Sequence, residues 1–144
     1  MNRKILIATH GMLASGFKDA LNIITGKIDN ITVINAFSKE QNPKKTIQQF
    51  MEQINKDDEL IVFTDLMGGS VNQMLMKYLE EYEFHLITGI NLGLLCQLVL
   101  SETITSKTII DAIDEARLDI RYVNEEIEHQ SLKGSQSSMA DFLL

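Results

Sequence analysis

The chain has 144 residues, the size of one domain, and 44% of them are hydrophobic, as in an ordinary globular core. Thirteen Lys and Arg against 20 Asp and Glu give a formal net charge of −7, so the phosphate backbone of a nucleic acid would be repelled and nucleic-acid binding is not expected. The single cysteine, Cys96, excludes a disulfide framework and favours a reducing compartment.

Neither a signal peptide nor a membrane span is expected. The N-terminal apolar stretch before His10 and Gly11 is short and has no small-residue cleavage site. The longest apolar run, Leu92 to Leu100, is interrupted by Gln97 and is much shorter than the roughly 18 residues that a membrane helix needs. These features predict a cytoplasmic protein that does not insert into a membrane.

Four apolar runs rich in β-branched residues are predicted to be strands. They are continuous rather than alternating, as in strands that are buried on both faces. Amphipathic segments with helical periodicity separate them, and the strand starts recur at the spacing of βαβ units of about 30 residues. The runs are Ile5–Ala8, Ile31–Ile34, Leu60–Phe63 and Phe84–Ile87.

The C-terminal part continues with a predicted helix from Thr108 to about Arg117. The alternation over Leu118–Val123 then suggests a half-exposed edge strand. We expect a folded domain over residues 1–129 and a polar, mobile tail over residues 130–144. The predicted fold class is α/β: a doubly wound, mostly parallel sheet of about four strands with helices on both faces, plus an antiparallel edge strand.

Ligands of open α/β sheets bind beyond the carboxyl ends of the strands. That rule selects the loops after the first, third and fourth predicted strands, which begin at Thr9, Thr64 and Thr88. His10 is the sharpest feature among them, because it ends a strand and is followed directly by Gly11. A neutral imidazole can accept a phosphoryl group and later release it.

Asp65 is the candidate partner of His10. It follows a strand expected to neighbour the first, and its carboxylate could accept a hydrogen bond from one ring nitrogen and fix the tautomer. A helix cap or a turn aspartate is the structural alternative.

Gly68, Gly69 and Ser70 stand before a helix expected to begin near Val71. Their backbone amides and the Ser70 hydroxyl could bind a phosphate group. A tight turn capped by Ser70 is the alternative. Together with His10 and Asp65, these residues make a nucleophile, its orienting group and an oxyanion cradle.

Other chemistries fit the residues poorly. The stretch from Gly11 to Gly16 opens like a P-loop, but the lysine is out of register. His85 and His129 lack metal-ligand spacing with each other, with His10 and with Cys96. We therefore expect neither a metal nor a cofactor.

Two motifs resemble a known family. HGMLASG, from His10 to Gly16, and TDLMGGSV, from Thr64 to Val71, are similar to the H-G-x-x-A-x-G and D-x-x-G-G-S/T motifs of the enzyme IIA component of the mannose-type (mannose, fructose, sorbose) sugar phosphotransferase system. The resemblance runs from about Arg3 through Val123. One position departs from it: Gly93 stands where the family usually has proline.

The resemblance implies a IIA-like phosphocarrier domain over residues 1–129. His10 would take a phosphoryl group from the histidine-containing phosphocarrier protein and pass it to the IIB component of a sugar transporter. Asp65 would hydrogen-bond the imidazole, and Ser70 with the neighbouring amides would hold the phosphoryl oxygens. The family fold also implies a homodimer in which the last strand, here Leu118–Val123, is exchanged between subunits.

Two other functions remain open at this point. The phosphocarrier subunit of dihydroxyacetone kinase is similar in fold, although its histidine is usually followed by serine, whereas His10 is followed by Gly11. A non-catalytic regulatory module could instead bind an anion at Gly68, Gly69 and Ser70.

Overall fold

A computed structural model of the chain describes residues 2–39 and 42–132, in which strands and helices alternate. Each of the four predicted strands overlaps an observed one. The elements in chain order are β1 (Arg3–His10), α1 (Leu13–Thr25), β2 (Ile31–Ala36), α2 (Pro43–Glu52), β3 (Glu59–Thr64), α3 (Ser70–Met76) with a 3-10 turn (Lys77–Glu80), β4 (His85–Thr88), α4 (Leu92–Leu100), α5 (Ser106–Arg117) and α6 (Val123–Leu132).

The four strands form one parallel sheet in the order β2-β1-β3-β4. The chain leaves β1 toward β2 on one side and then crosses to β3 on the other, so the direction of winding reverses between β1 and β3. Ala8 of β1 lies beside Thr64 of β3. The carboxyl ends of these two strands therefore meet at the switch point, where open α/β sheets bind ligands.

Helices cover both faces of the sheet, which explains why the strands are apolar on both sides. On one face, Ile7 and Phe63 pack in a cluster with Leu21 of α1 and Leu95 of α4. On the other face, a second cluster joins the alternate strand residues to the helices between β2 and β4. Its members include Leu6, Val62, Ile47, Met51 and Leu75. The predicted doubly wound α/β fold is confirmed.

Polar side chains fix the starts of several helices. The buried Thr9 hydroxyl accepts the Ala14 amide of α1 at 2.7 Å. Asn42 caps α2, whose first residue is Pro43, and Asn91 caps α4. These contacts satisfy amides that have no acceptor within the helix. None of the described helices is both long enough and apolar enough to cross a membrane.

The edge strand predicted over Leu118–Val123 is not formed in this chain. Residues 118–122 lack regular structure and Val123 begins α6. A strand needs a backbone partner, and none of the four sheet strands pairs with this segment. Glu125 and Glu126 lie in the first turn of α6, where the helix dipole favours negative charge. The alternating apolar side chains stay exposed: Leu118, Ile120 and Tyr122.

The expected exchange of this segment between two subunits involves a second chain and stays a prediction. The tail was expected to begin at residue 130, and α6 continues to Leu132. Residues 133–144 lie outside the described part of the chain, so the mobility predicted for the tail stays a prediction.

Candidate functional site

The geometry of the candidate site starts from His10, the last residue of β1. Its side chain is 39% exposed, so the ring is open to a reaction partner on one side and held by the protein on the other. The turn that follows it is anchored to the neighbouring strand, because the Gly11 amide donates to the Ala36 carbonyl at 2.7 Å.

Asp65 holds His10 at two points. The carboxylate oxygen Oδ2 accepts the backbone amide of His10 at 2.9 Å and lies 2.9 Å from the ring nitrogen Nδ1. The other oxygen, Oδ1, accepts the Leu66 amide at 3.0 Å. An ionised carboxylate can only accept, so Nδ1 must carry the hydrogen of this bond. In the neutral ring, Nε2 then keeps its lone pair.

The Asp65 carboxyl is held in its ionised form. Partial burial pushes the pKa of Asp65 upward, but hydrogen bonds from the His10 amide, the His10 ring and its own loop outweigh burial and lower that pKa below its ordinary value. The negative charge that orients His10 is therefore present at neutral pH.

Ser70 approaches the other side of the ring. It is the first residue of α3, one position earlier than the predicted start, and its Oγ lies 3.4 Å from Nε2 of His10. With Nδ1 protonated, the serine hydroxyl is the donor in this contact. The amides of the first helical turn have no acceptor within the helix and point out of its N-terminus.

Gly69 allows the ring to come this close to α3. A Cβ atom at this position would lie 3.2 Å from the Leu66 carbonyl oxygen and 3.4 Å from Cε1 of His10. The distance to the Leu66 oxygen is tighter than ordinary van der Waals contact and the distance to Cε1 is at its lower limit, so a side chain would push against the turn and touch the imidazole. Gly68 precedes it in the same turn, and its carbonyl accepts the Gln73 side chain at 2.7 Å.

A buried hydrogen bond holds the Asp65 loop against α3. The Thr64 hydroxyl donates to Oδ1 of Asn72 at 2.8 Å, and both side chains are buried. Thr64 directly precedes Asp65, and Asn72 lies two residues after Ser70. The bond therefore fixes the distance between Asp65, which orients His10, and Ser70, which faces Nε2.

The structure thus brings together every predicted site residue: His10, Asp65, Gly68, Gly69 and Ser70. The third predicted loop, at Thr88, contributes no described hydrogen bond to His10. Its Asn91 side chain caps α4 and donates to the Ala116 carbonyl of α5 at 2.9 Å.

Gly93 lies in the first turn of α4. A Cβ atom there would meet the end of the Asp119 side chain, which is exposed and can turn away. The family that the sequence resembles usually has proline at this position. In this chain α4 begins without it, because the Asn91 side chain caps the helix.

Sequence reasoning missed one member of the site, Phe37. Its ring is stacked on His10, with 5.6 Å between the ring centroids and 28° between the planes. Phe37 directly follows β2, so the strand-end rule would have selected it if the loop after the second strand had been considered with the other three.

This arrangement suits a nucleophilic imidazole. One ring nitrogen is fixed by a carboxylate, the other has a lone pair that faces only the Ser70 hydroxyl, and that hydroxyl and the amides at the start of α3 are donors that an anion could use. Among the described residues, no cluster of His, Cys, Asp and Glu could hold a metal ion.

Comparison with known proteins identifies the family. The family model EIIA-man, described as the fructose IIA component of the phosphotransferase system (PTS), matches residues 4–116. The chain belongs to this family of sugar-PTS IIA components. The matched range includes the whole site of this IIA chain and ends in α5, before the segment that departs from the predicted strand.

Solved structures similar to this IIA chain support the assignment. A proposed phosphoenolpyruvate-dependent sugar PTS permease from Klebsiella pneumoniae is 34% identical, with a TM-score of 0.82, and the match covers 88% of this chain and 95% of that one. The PTS IIA protein associated with the fucose utilization operon of Streptococcus pneumoniae is 27% identical, with a TM-score of 0.72 and coverage of 88% and 97%. A mannose/sorbose-specific IIA subunit from Enterococcus faecalis, at 15% identity, has the same fold with a TM-score of 0.74 and coverage of 85% and 95%.

Proposed function

We propose that this IIA chain is a cytoplasmic phosphoryl carrier that uses His10. It accepts the group from the histidine-containing phosphocarrier protein and passes it to the IIB component of a sugar transporter. The observation that carries the proposal is the fixed tautomer of His10: Nδ1 is bound to Asp65, and Nε2 faces Ser70.

In the first transfer, the Nε2 lone pair attacks the phosphorus of the donor's phosphohistidine. A new N–P bond forms as the donor's N–P bond breaks, and the donor imidazole leaves with that electron pair. The phosphorylated His10 ring is cationic while Nδ1 keeps its proton, and the Asp65 charge stabilises it. Transfer to IIB repeats the same displacement, with Nε2 of His10 as the leaving group.

Ser70 and the turn before it would bind the transferred group. The Ser70 hydroxyl, which donates to Nε2 in the free protein, can donate to a phosphoryl oxygen once Nε2 is occupied. Gly68 and Gly69 keep side chains out of that space, and the amides at the start of α3 supply further donors.

Exposed apolar side chains next to His10 support a protein partner. They follow the carboxyl ends of β1, β2 and β3, on the same edge of the sheet as the imidazole. Several large apolar side chains exposed at one edge are typical of protein–protein contact sites. The side chains are Met12, Leu13, Phe37, Leu66 and Met67.

Labelled phosphoenolpyruvate, supplied with the general phosphotransferase proteins, tests the proposal. The chain has three histidines, so His85→Ala and His129→Ala are matched controls for His10→Ala. We expect label in both controls and none in His10→Ala, whose circular dichroism should match that of the wild type. Label in His10→Ala would refute the assigned carrier residue, and no label in the wild type would favour an anion-binding module.

A chase experiment identifies the acceptor. Labelled protein is mixed separately with a IIB protein and with a dihydroxyacetone kinase subunit. Transfer to IIB supports the sugar-transport function, whereas transfer only to the kinase subunit would replace it.

A further inference from the structure

Phe37 has a backbone conformation that bulky side chains rarely adopt. Its φ is +61°, in the left-handed region that glycine and asparagine usually occupy. A residue held in such a conformation outside the core often serves a functional site. The Phe37 side chain is 56% exposed, so core packing does not account for the conformation.

The surrounding turn holds Phe37 in place. Ser38 donates two hydrogen bonds to the Asn35 carbonyl, one from its backbone amide at 3.4 Å and one from its hydroxyl at 2.7 Å. The Asn35 side chain donates to the Ser15 hydroxyl at 2.6 Å and accepts the Ser15 amide at 3.2 Å. The turn after β2 is thereby tied to α1, which begins just after His10.

The contact of Phe37 with His10 complements the other two contacts of the ring. Asp65 and Ser70 contact the two nitrogen atoms at the edge of the imidazole. Phe37 lies against the ring face at 5.6 Å between centroids, within the range of favourable aromatic stacking. Edge contacts fix where the nitrogens point, and the face contact limits the tilt of the ring.

We propose that Phe37 is a positioning residue for phosphoryl transfer, which holds the His10 ring with Nε2 directed at the incoming phosphorus. The proposal rests on the function proposed above. The face of an aromatic ring also attracts a cation, and the imidazole becomes cationic when Nε2 is phosphorylated. Phe37 therefore favours the phosphorylated ring as well as the orientation that leads to it.

A docking contact with the phosphocarrier protein is the competing role for Phe37, because the side chain is exposed. The two roles differ when the donor is a small molecule. Phosphoramidate can phosphorylate histidine without a protein interface, so a docking residue has no effect on that reaction, whereas a positioning residue does.

The experiment compares wild type, Phe37→Leu and Phe37→Tyr with both donors. Phe37→Leu keeps apolar bulk and removes the aromatic face; Phe37→Tyr keeps the face. Phe50→Leu is the matched control, since Phe50 is a partly buried side chain near the end of α2, the end directed away from the site. The initial rate of His10 phosphorylation is measured with the phosphocarrier protein and with phosphoramidate.

We expect Phe37→Leu to slow phosphorylation by about 3- to 10-fold with both donors, the size of an aromatic stacking contribution. Phe37→Tyr and Phe50→Leu should keep the wild-type rate. If Phe37→Leu loses rate only with the protein donor, Phe37 is a docking residue. If the rate is unchanged with both donors, Phe37 has no role in phosphorylation. Either result overturns the proposal. Failure of the wild type to be labelled would instead refute the proposed function.

A second readout does not depend on phosphorylation. The Hε1 proton of His10 should show a ring-current shift in NMR spectra that is lost in Phe37→Leu and kept in Phe37→Tyr. Identical His10 shifts in all three proteins would contradict the stacking. If Phe37→Leu fails to fold, Phe37→Gly replaces it, because glycine adopts a φ of +61° without strain; the same loss of rate is expected.

Discussion

Replacement of Asp65 by asparagine tests the group that orients His10. The Asp65 carboxylate accepts three hydrogen bonds, from the His10 amide, the His10 ring and the Leu66 amide. Asparagine has nearly the same size but only one acceptor oxygen. Whichever way its amide is turned, its NH₂ group faces at least one of these donors, and the negative charge is lost.

The expected effect follows from these contacts. A hydrogen bond to a charged group contributes about 1.5 to 3 kcal/mol, so Asp65→Asn should slow transfer by roughly 10- to 100-fold at 1.4 kcal/mol per decade. Single-turnover transfer from the phosphocarrier protein, followed by rapid quench, measures this rate directly.

Asp58→Asn is the matched control. Asp58 also accepts a backbone amide, from Asn55 at 2.8 Å, and pairs with Lys4 at 2.9 Å. It directly precedes β3 and so lies at the opposite edge of the sheet from His10. Asp58→Asn should leave the transfer rate unchanged. Equal rates for wild type and Asp65→Asn would refute the reasoning and reduce Asp65 to a turn residue.

Three further predictions concern the site, its pH dependence and the assembly. Ser70→Ala should slow single-turnover transfer by about 3- to 10-fold, since it removes a hydrogen bond to the charged phosphoryl group, partly offset by loss of the weaker neutral bond to Nε2 that must break before attack; Ser101→Ala, at the far end of α4, should not. Because folding lowers the pKa of Asp65, the stability that its charge contributes is present above its ordinary pKa of about 3.9 and is lost as pH falls through the lower folded value. Urea unfolding should therefore show wild type losing its advantage over Asp65→Asn only below about pH 4; an equal difference at pH 7 and pH 3 would contradict this. Light scattering should give twice the chain mass of 16.3 kDa, because pairing of the exposed segment around Ile120 would cover its apolar side chains; a monomer at micromolar concentration would rule this out.

The sheet and most of the site could be predicted from the sequence for a physical reason. Strands buried on both faces are continuous apolar runs, so β1 and β3 stand out even without alternation. Parallel strands then bring their carboxyl ends to one edge, which places His10 and Asp65 together whatever the details of the helices. Gly69 and Ser70 follow because the same edge is where the next helix begins.

The strand predicted over Leu118–Val123 is not formed within the single chain, because alternation reports only which side chains are apolar. It does not report whether a partner strand is available, and none of the four sheet strands of this chain pairs with the segment. The segment forms coil followed by a helix that its acidic residues favour.

Phe37 could not have been recognised from its own sequence pattern. Its turn is held by a local bond from Ser38 to Asn35 and by a tertiary contact of Asn35 with Ser15, and no residue in the turn is a glycine that would signal a left-handed conformation. Only its position at the end of β2 pointed toward the site.

The most direct test of the account is the identity of the phosphorylated atom. The chain is phosphorylated from phosphoenolpyruvate, the modified residue is mapped by mass spectrometry under alkaline conditions, and the ring nitrogen is assigned by ³¹P and ¹⁵N NMR. The hydrogen bond from Nδ1 to Asp65 predicts a single phosphoryl group on Nε2 of His10. A phosphoryl group on Nδ1 of His10, on Ser70, or on either of the other two histidines would contradict the account.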